Sequence, residues 1–256
     1  MSKKNTTISN RLIAMFVLTF IGSAFSSCSP ILYTSVGQNV PLFHGKGEVT
    51  FGGGYADTGD ATGVTMQFAV AVDSSLAVSA LFHSLSGSYS NEPDFWEGSG
   101  TYFEGGVGKF GTMREGLCAW EVFVGLGYGS IKNTNLNQGV NARYIKPFLQ
   151  PSISIGTGVV EFAITPRIGV VNYTAHSSTL TDAQNAEVIE AFFDEKSTTL
   201  VFEPGVTLRL GYRGVKLQAQ YSYSTFSYRD EDWDPVNPEF ISIGLQFLIT
   251  KRFPGN

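Results

Sequence analysis

Two stretches of the sequence carry side chains spaced for chemistry. Asp230-Glu231-Asp232-Trp233-Asp234 alternates oxygen ligands as the opening of a calcium-binding loop does. The rest of such a loop is missing. Its sixth position is Pro235 where a glycine makes the turn, and its twelfth is Ile241 where a glutamate closes the site. The expectation is a solvated acidic loop and no metal. His176-Ser177-Ser178 supplies an imidazole and two hydroxyls, the parts of a base–nucleophile pair. Adjacency along the chain does not bring them together in space, and His44 and His83 have no second histidine at ligand spacing. No catalytic residue is assigned and no enzyme is expected; a hydrolase or lipid-modifying activity at His176 is a minor alternative.

The elements that would position these residues read as strands. The chain has 256 residues, 29 of them glycine, with 13% aromatic and only 15% charged residues, against about 25% charged in an ordinary soluble domain. A hydrophobic content of 43% argues against disorder, and a net charge of −5 against nucleic acid as a partner. From Gly47 onward the pattern has period two, the signature of strands with two unlike faces. Ten segments follow: 47–56, 62–72, 76–88, 99–110, 118–131, 144–155, 159–173, 198–211, 215–228 and 240–251. Most have 10–15 residues, which suits a tilted strand crossing a bilayer at about 9–11 residues. Short connections at 73–75, 111–117, 156–158 and 212–214 alternate with longer ones at 57–61, 89–98, 132–143, 174–197 and 229–239. An antiparallel up-and-down barrel produces that alternation.

The polar face decides between a water-filled surface and an enclosed one. Trp120, Val122, Val124, Leu126 and Tyr128 oppose Glu121, Gly125, Gly127 and Gly129; Phe162, Ile164 and Ile168 oppose Glu161, Thr165 and Arg167. A solvated face would be rich in long charged side chains. Here the charges are isolated: Glu48, Glu104, Glu121, Glu161 and Glu203 against Lys146, Arg167, Arg209 and Lys216. Such a set fits an enclosed, nearly neutral network inside the barrel, where unpaired charges would be costly. Trp120, Tyr128, Tyr173, Tyr212 and Tyr228 fit girdles at the membrane surface. The longer connections hold most of the 22 acids, while Lys46, Lys109, Arg114, Arg213, Lys251 and Arg252 gather at the short-turn end.

This pattern resembles the small outer-membrane β-barrel proteins of Gram-negative bacteria over residues 47–253. Ile241, Ile243, Leu245, Phe247 and Ile249 share one face of the last strand, which ends near Phe253 in the manner of the terminal assembly signal of such barrels. Pro254-Gly255-Asn256 beyond it departs from that signal. At the other end, Lys3, Lys4 and Arg11 precede an apolar run from Leu12 to Ala24, which reads as a secretory signal over residues 1–27. Ser26-Ser27-Cys28 resembles the lipobox of bacterial lipoproteins, with Phe25 in place of an aliphatic residue. That resemblance implies a covalent lipid on Cys28 and no other cofactor. With Cys28 so used, only Cys118 is left and no disulfide framework exists. Residues 28–46, with Pro30, Gly37, Pro41 and Gly45 and no sustained period, read as a lipidated tether. The expected location is the outer membrane, with the N-terminus and lipid on the periplasmic side and the acidic loops outside.

Two features suggest more than a bare wall. Thr181 and Gln184 form a capping box, and Val188, Ile189, Phe192 and Phe193 make one side of a short helix in an outer loop. It either closes the barrel mouth or docks on a partner. Pro147, Pro151, Pro166 and Pro204 fall on the outward phase of three neighbouring strands, beside Phe162 and Ile168, and each removes a ladder donor. Bulges explain them, or another outer-membrane protein covers that wall. Since a barrel of about ten strands is little wider than one that side chains fill, the expected role is non-catalytic: scaffold or accessory subunit of an outer-membrane complex. The alternative is a narrow channel or a binder for a small, even apolar, ligand.

Overall fold

The structure, a computed structural model, describes residues 30–91, 94–113, 117–135, 138–156, 159–181, 183–212, 214–227 and 236–250. Ten strands close into an up-and-down barrel: β1 (Glu48–Asp57), β2 (Thr62–Ala71), β3 (Leu76–Asn91), β4 (Asp94–Met113), β5 (Cys118–Asn135), β6 (Gln138–Gly156), β7 (Val160–Ser178), β8 (Thr198–Tyr212), β9 (Val215–Tyr223) and β10 (Glu239–Thr250). Every neighbouring pair is antiparallel, and β10 returns to β1 with Phe247 opposite Phe51, so the sheet has no free edge. A helix, α1 (Ala183–Lys196), lies between β7 and β8.

Period two becomes inside and outside along each strand. On β8, Leu200, Phe202, Val206, Leu208 and Leu210 are exposed, while Val201, Glu203, Thr207 and Arg209 between them are buried. The outer face is thus apolar around the barrel, with Phe51, Met66, Phe103, Val124, Ile164 and Ile243 all turned outward. Inward glycines make room for rings from the next strand. A Cβ on Gly127 would stand 2.0 Å from the Tyr102 hydroxyl, and one on Gly129 2.1 Å from the Tyr144 ring.

Several expectations need correction. The connections expected at 89–98 and 132–143 are mostly strand, because β3 to β6 continue for several residues beyond the apolar band. Polar residues on both faces erase the alternation there, yet the backbone ladder persists. The rim is consequently uneven: Thr62 of β2 pairs with Ser86, and β3 climbs on to Asn91. Secondly, the bulges expected at the prolines are not there. The register shift between β6 and β7 falls at Arg143/Tyr144. Leu149 pairs with Ile168 and Ile153 with Ile164, so Pro151 lies opposite Pro166, which in turn pairs with Pro204. Thirdly, Tyr173 is buried among inward aromatic rings and does not belong to a surface girdle.

The largest difference concerns residues 30–46. This segment is not a tether outside the barrel. Leu32, Tyr33, Ser35, Val36, Val40 and Phe43 are buried in the lumen. Tyr33 and Thr34 pair in parallel with Val236 and Asn237 at the long-loop rim. The chain then descends to the short-turn rim and reverses, with φ of 59° at Leu42 and 80° at Gly47, to enter β1. For Leu42 that left-handed backbone is costly, and the packing of its side chain against Val40 and Ala163 holds it.

Candidate functional site

The site is the filled lumen. A peptide with almost no ladder of its own must find partners for its backbone groups, and here the wall supplies them rung by rung. Asn133 Nδ2 donates to the Ile31 carbonyl at 2.7 Å and the Tyr173 hydroxyl to that of Leu32 at 3.1 Å. Ser35 N–H donates to the Asn237 carbonyl at 2.9 Å. Ser222 Oγ donates to Val36 O at 3.1 Å, Gln220 Nε2 to Gln38 O at 2.7 Å, and Gln150 Nε2 to Asn39 O at 2.7 Å. Arg209 Nη2 donates to the Val40 carbonyl. Near the short-turn rim the polarity inverts: Phe43 N–H donates to Glu121 at 2.9 Å and His44 N–H to Glu48 at 2.8 Å. The polar strand faces therefore match the peptide's acceptors and donors in order along its length.

Side chains complete the fit. Gln38 Nε2 donates to the Glu203 carbonyl at 2.7 Å, and it can do so because position 205 is glycine: a Cβ there would lie 2.2 Å from the Gln38 amide oxygen. Asn39 Nδ2 reaches the carbonyls of Phe68 and Ala80 at 2.8 and 2.9 Å. Phe43 packs with Phe110 and Phe123 where Ala69, Ala71 and Ala77 leave room for the three rings.

All nine charged residues singled out in the sequence face inward, in two groups. In the upper group Lys146 pairs with Glu203 at 3.0 Å, and Arg167 grips Glu104 through two bonds of 2.9 and 3.1 Å while lying 3.9 Å from Glu203. Tyr33 of the inserted segment enters this group. Its hydroxyl donates to Glu203 at 2.7 Å and accepts from Lys146 at 2.9 Å, and Ser224 adds a third bond to Glu203 at 3.0 Å. In the lower group Glu161 pairs with Lys216 and lies 3.6 Å from Arg209, near Glu121 and Glu48, which bind the segment's backbone. A cavity of about 480 Å³, lined by His44, Glu48, Glu161, Lys216 and Tyr212 among others, opens at the short-turn mouth.

Helix α1 covers the other end. Ile189, Phe192 and Phe193 are buried in one cluster with Leu32, Tyr33, Tyr144 and Tyr173, whereas Val188 is exposed and does not share that face. His176, exposed at the rim, stacks flat on Phe193 with centroids 4.1 Å apart, while Asn141 Nδ2 donates to Ser177 Oγ at 3.3 Å. His83 points inward and makes a T-shaped contact with Phe240, ring centroids 5.3 Å apart. Asp60, in the connection between β1 and β2, accepts from Asn237 at 3.3 Å; burial and the nearby Asp57 raise its pKa. Pro147 and Pro204, with Phe162 and Ile168, are on the exposed outer wall, Pro151 and Pro166 half-buried between them. Cys28, the acidic run 230–234 and Phe253 lie outside the described residues. Among the described residues no cluster of His, Cys, Asp and Glu could hold a metal.

No family model matches the chain, and no curated protein matches it. Solved structures similar to it include Ail, the attachment invasion locus protein of Yersinia pestis, with a TM-score of 0.37 and 12% identity over 80% of this chain and 99% of that one. The translocator domain of the autotransporter NalP from Neisseria meningitidis gives 0.40 and 10% identity over 78% and 86%. The NanC porin gives 0.32 and 10% identity over 78% and 98%.

Two outcomes follow from the lumen. Ser35 and Ser222 hydroxyls are 3.4 Å apart, so a Ser35→Cys/Ser222→Cys protein is expected to form a disulfide under mild oxidation, read as a reduction-sensitive gel shift; a protein with the segment outside would show none. Glu203→Gln leaves Lys146 and Arg167 short of a counter-charge and is expected to cost about 3 kcal/mol, measured as a lower urea midpoint in detergent.

Proposed function

We propose that this chain is a lipid-anchored outer-membrane β-barrel with a non-catalytic role, a scaffold or accessory subunit whose lumen is sealed by its own N-terminal segment. The apolar outer face supports the membrane reading: in water it would be a very large greasy surface, whereas acyl chains solvate it. In that setting the charges are enclosed and the ladder is closed, as a bilayer demands of a spanning sheet. The acidic connections then face outward and the basic short turns face the periplasm.

One observation carries the non-channel reading: the lumen is occupied along its length by residues 30–46, whose carbonyls are bonded to the wall. This weighs against a narrow channel, because ions would have to displace a peptide held by more than half a dozen hydrogen bonds, each contributing about 1 kcal/mol. The three prolines aligned across β6, β7 and β8 favour a protein neighbour at that wall. Pro151 and Pro166 face each other with no donor between them, and lipid cannot satisfy the carbonyls they leave.

In planar bilayers the intact protein is expected to be silent, and a variant lacking residues 31–43 to give steady openings; ion flow through the intact protein would restore the channel reading. A protein lacking residues 1–28 is expected to need detergent still, checked by its partition into the membrane fraction.

A further inference from the structure

The direction in which the N-terminal segment runs has a bearing on where its lipid goes. Pro30 and Ile31 stand in a cleft with Asp60, Ala61, Gly87, Trp96 and Asn237, all at the long-loop end of their strands. Phe43 and His44 meet Glu121 and Glu48, near the opposite rim. The segment pairs in parallel with Val236 and Asn237, whose chain leads directly down into β10, so both run from the long-loop rim inward. Cys28 precedes Pro30 by two residues, a reach of no more than about 7.6 Å. Along β5, from Asn133 beside Ile31 to Ala119 at the lower cavity, the wall continues for fourteen residues. That is roughly 36 Å along the barrel axis for a strand tilted about 40°. A lipid on Cys28 cannot cover that distance.

We propose that the chain threads its own barrel, so that the lipid on Cys28 is anchored in the leaflet on the long-loop side, the outer leaflet, and not in the leaflet next to the short turns. This rests on the outer-membrane and Cys28 readings above and reverses the side expected from the sequence. The uneven rim gives the lipid its exit. Pro30 lies beside the β1–β2 connection, where the wall ends at Asp57 and Thr62, while β3 rises further to Asn91. Outward Tyr55 and Val64, two residues below that lip, belong to the apolar band. An acyl chain leaving Cys28 over this low lip meets the apolar band about 7 Å below it.

The test places a short epitope, one per protein, between Ser29 and Pro30, in the connection after Asp230, or at Ser74, in full chains that carry Ser35→Cys/Ser222→Cys. The disulfide verifies in each tagged protein that the segment occupies the lumen. Intact cells are stained before and after the outer membrane is permeabilised. The expected result is that the Ser29 and Asp230 epitopes are both stained on intact cells, and the Ser74 epitope only after permeabilisation. An Asp230 epitope stained on intact cells with the Ser29 epitope hidden alongside Ser74 would overturn the threading. If Ser74 alone is stained on intact cells, the orientation assigned under the proposed function fails, and the outer-leaflet placement fails with it. Incorporation of labelled fatty acid that disappears in Cys28→Ser supports the anchor; labelling unchanged by that substitution overturns it.

Discussion

Every backbone carbonyl and amide taken away from water needs a partner, and this constraint organises the molecule at two levels. The wall meets it with a closed antiparallel ladder, interrupted where Pro151 faces Pro166. The peptide within the wall cannot, since it has only two residues of ladder, so side chains from the strands meet it instead. Gln220, Gln150, Asn133, Ser222, Tyr173 and Arg209 serve the inserted carbonyls, and Glu121 and Glu48 serve the inserted amides. The inward polar faces of the strands bind that chain.

The same constraint explains why the buried charges are tolerated. Lys146, Arg167, Glu104 and Glu203 lie where desolvation is severe, and each charge there needs a counter-charge and hydrogen bonds as well. Tyr33 belongs to the inserted segment yet bridges Lys146 and Glu203. Removing the segment would therefore both empty a volume and unsettle the ion pairs around it. Small residues complete the arrangement. Ala69, Ala71 and Ala77 give width to Phe43, and Gly205 gives width to Gln38. Wall and segment are shaped for each other over the full height of the barrel.

How much of this was written legibly in the sequence varies by region. The ten strands are plain in the period-two pattern because each has one apolar and one polar face. Their extensions at 89–91 and 132–135 are not, since a strand polar on both sides looks like a loop. The charged residues of the lumen could be picked out because they stand alone among Gly, Ser and Gln. Which acid pairs with which base depended on register and on the tyrosines, neither of which alternation supplies. The inserted segment was misread because its prolines and glycines conceal any period. Its composition held a clue: Ile31, Leu32, Tyr33, Val36, Val40, Leu42 and Phe43 are too many apolar residues for a solvated tether. Helical spacing puts Val188 on the side of Ile189, Phe192 and Phe193, but the helix turns that residue outward.

Closure of β1 against β10 has an implication for how the molecule is made. Once the ring is shut, its leading end could enter only by way of the short-turn mouth, where Gly47 joins it to the first stave. A sheet that curls while its inward side chains grip the cord, and fastens last where Phe51 meets Phe247, avoids that passage. On that route the inserted peptide is a mandrel on which the cylinder is rolled, setting its bore before the final seam is sewn.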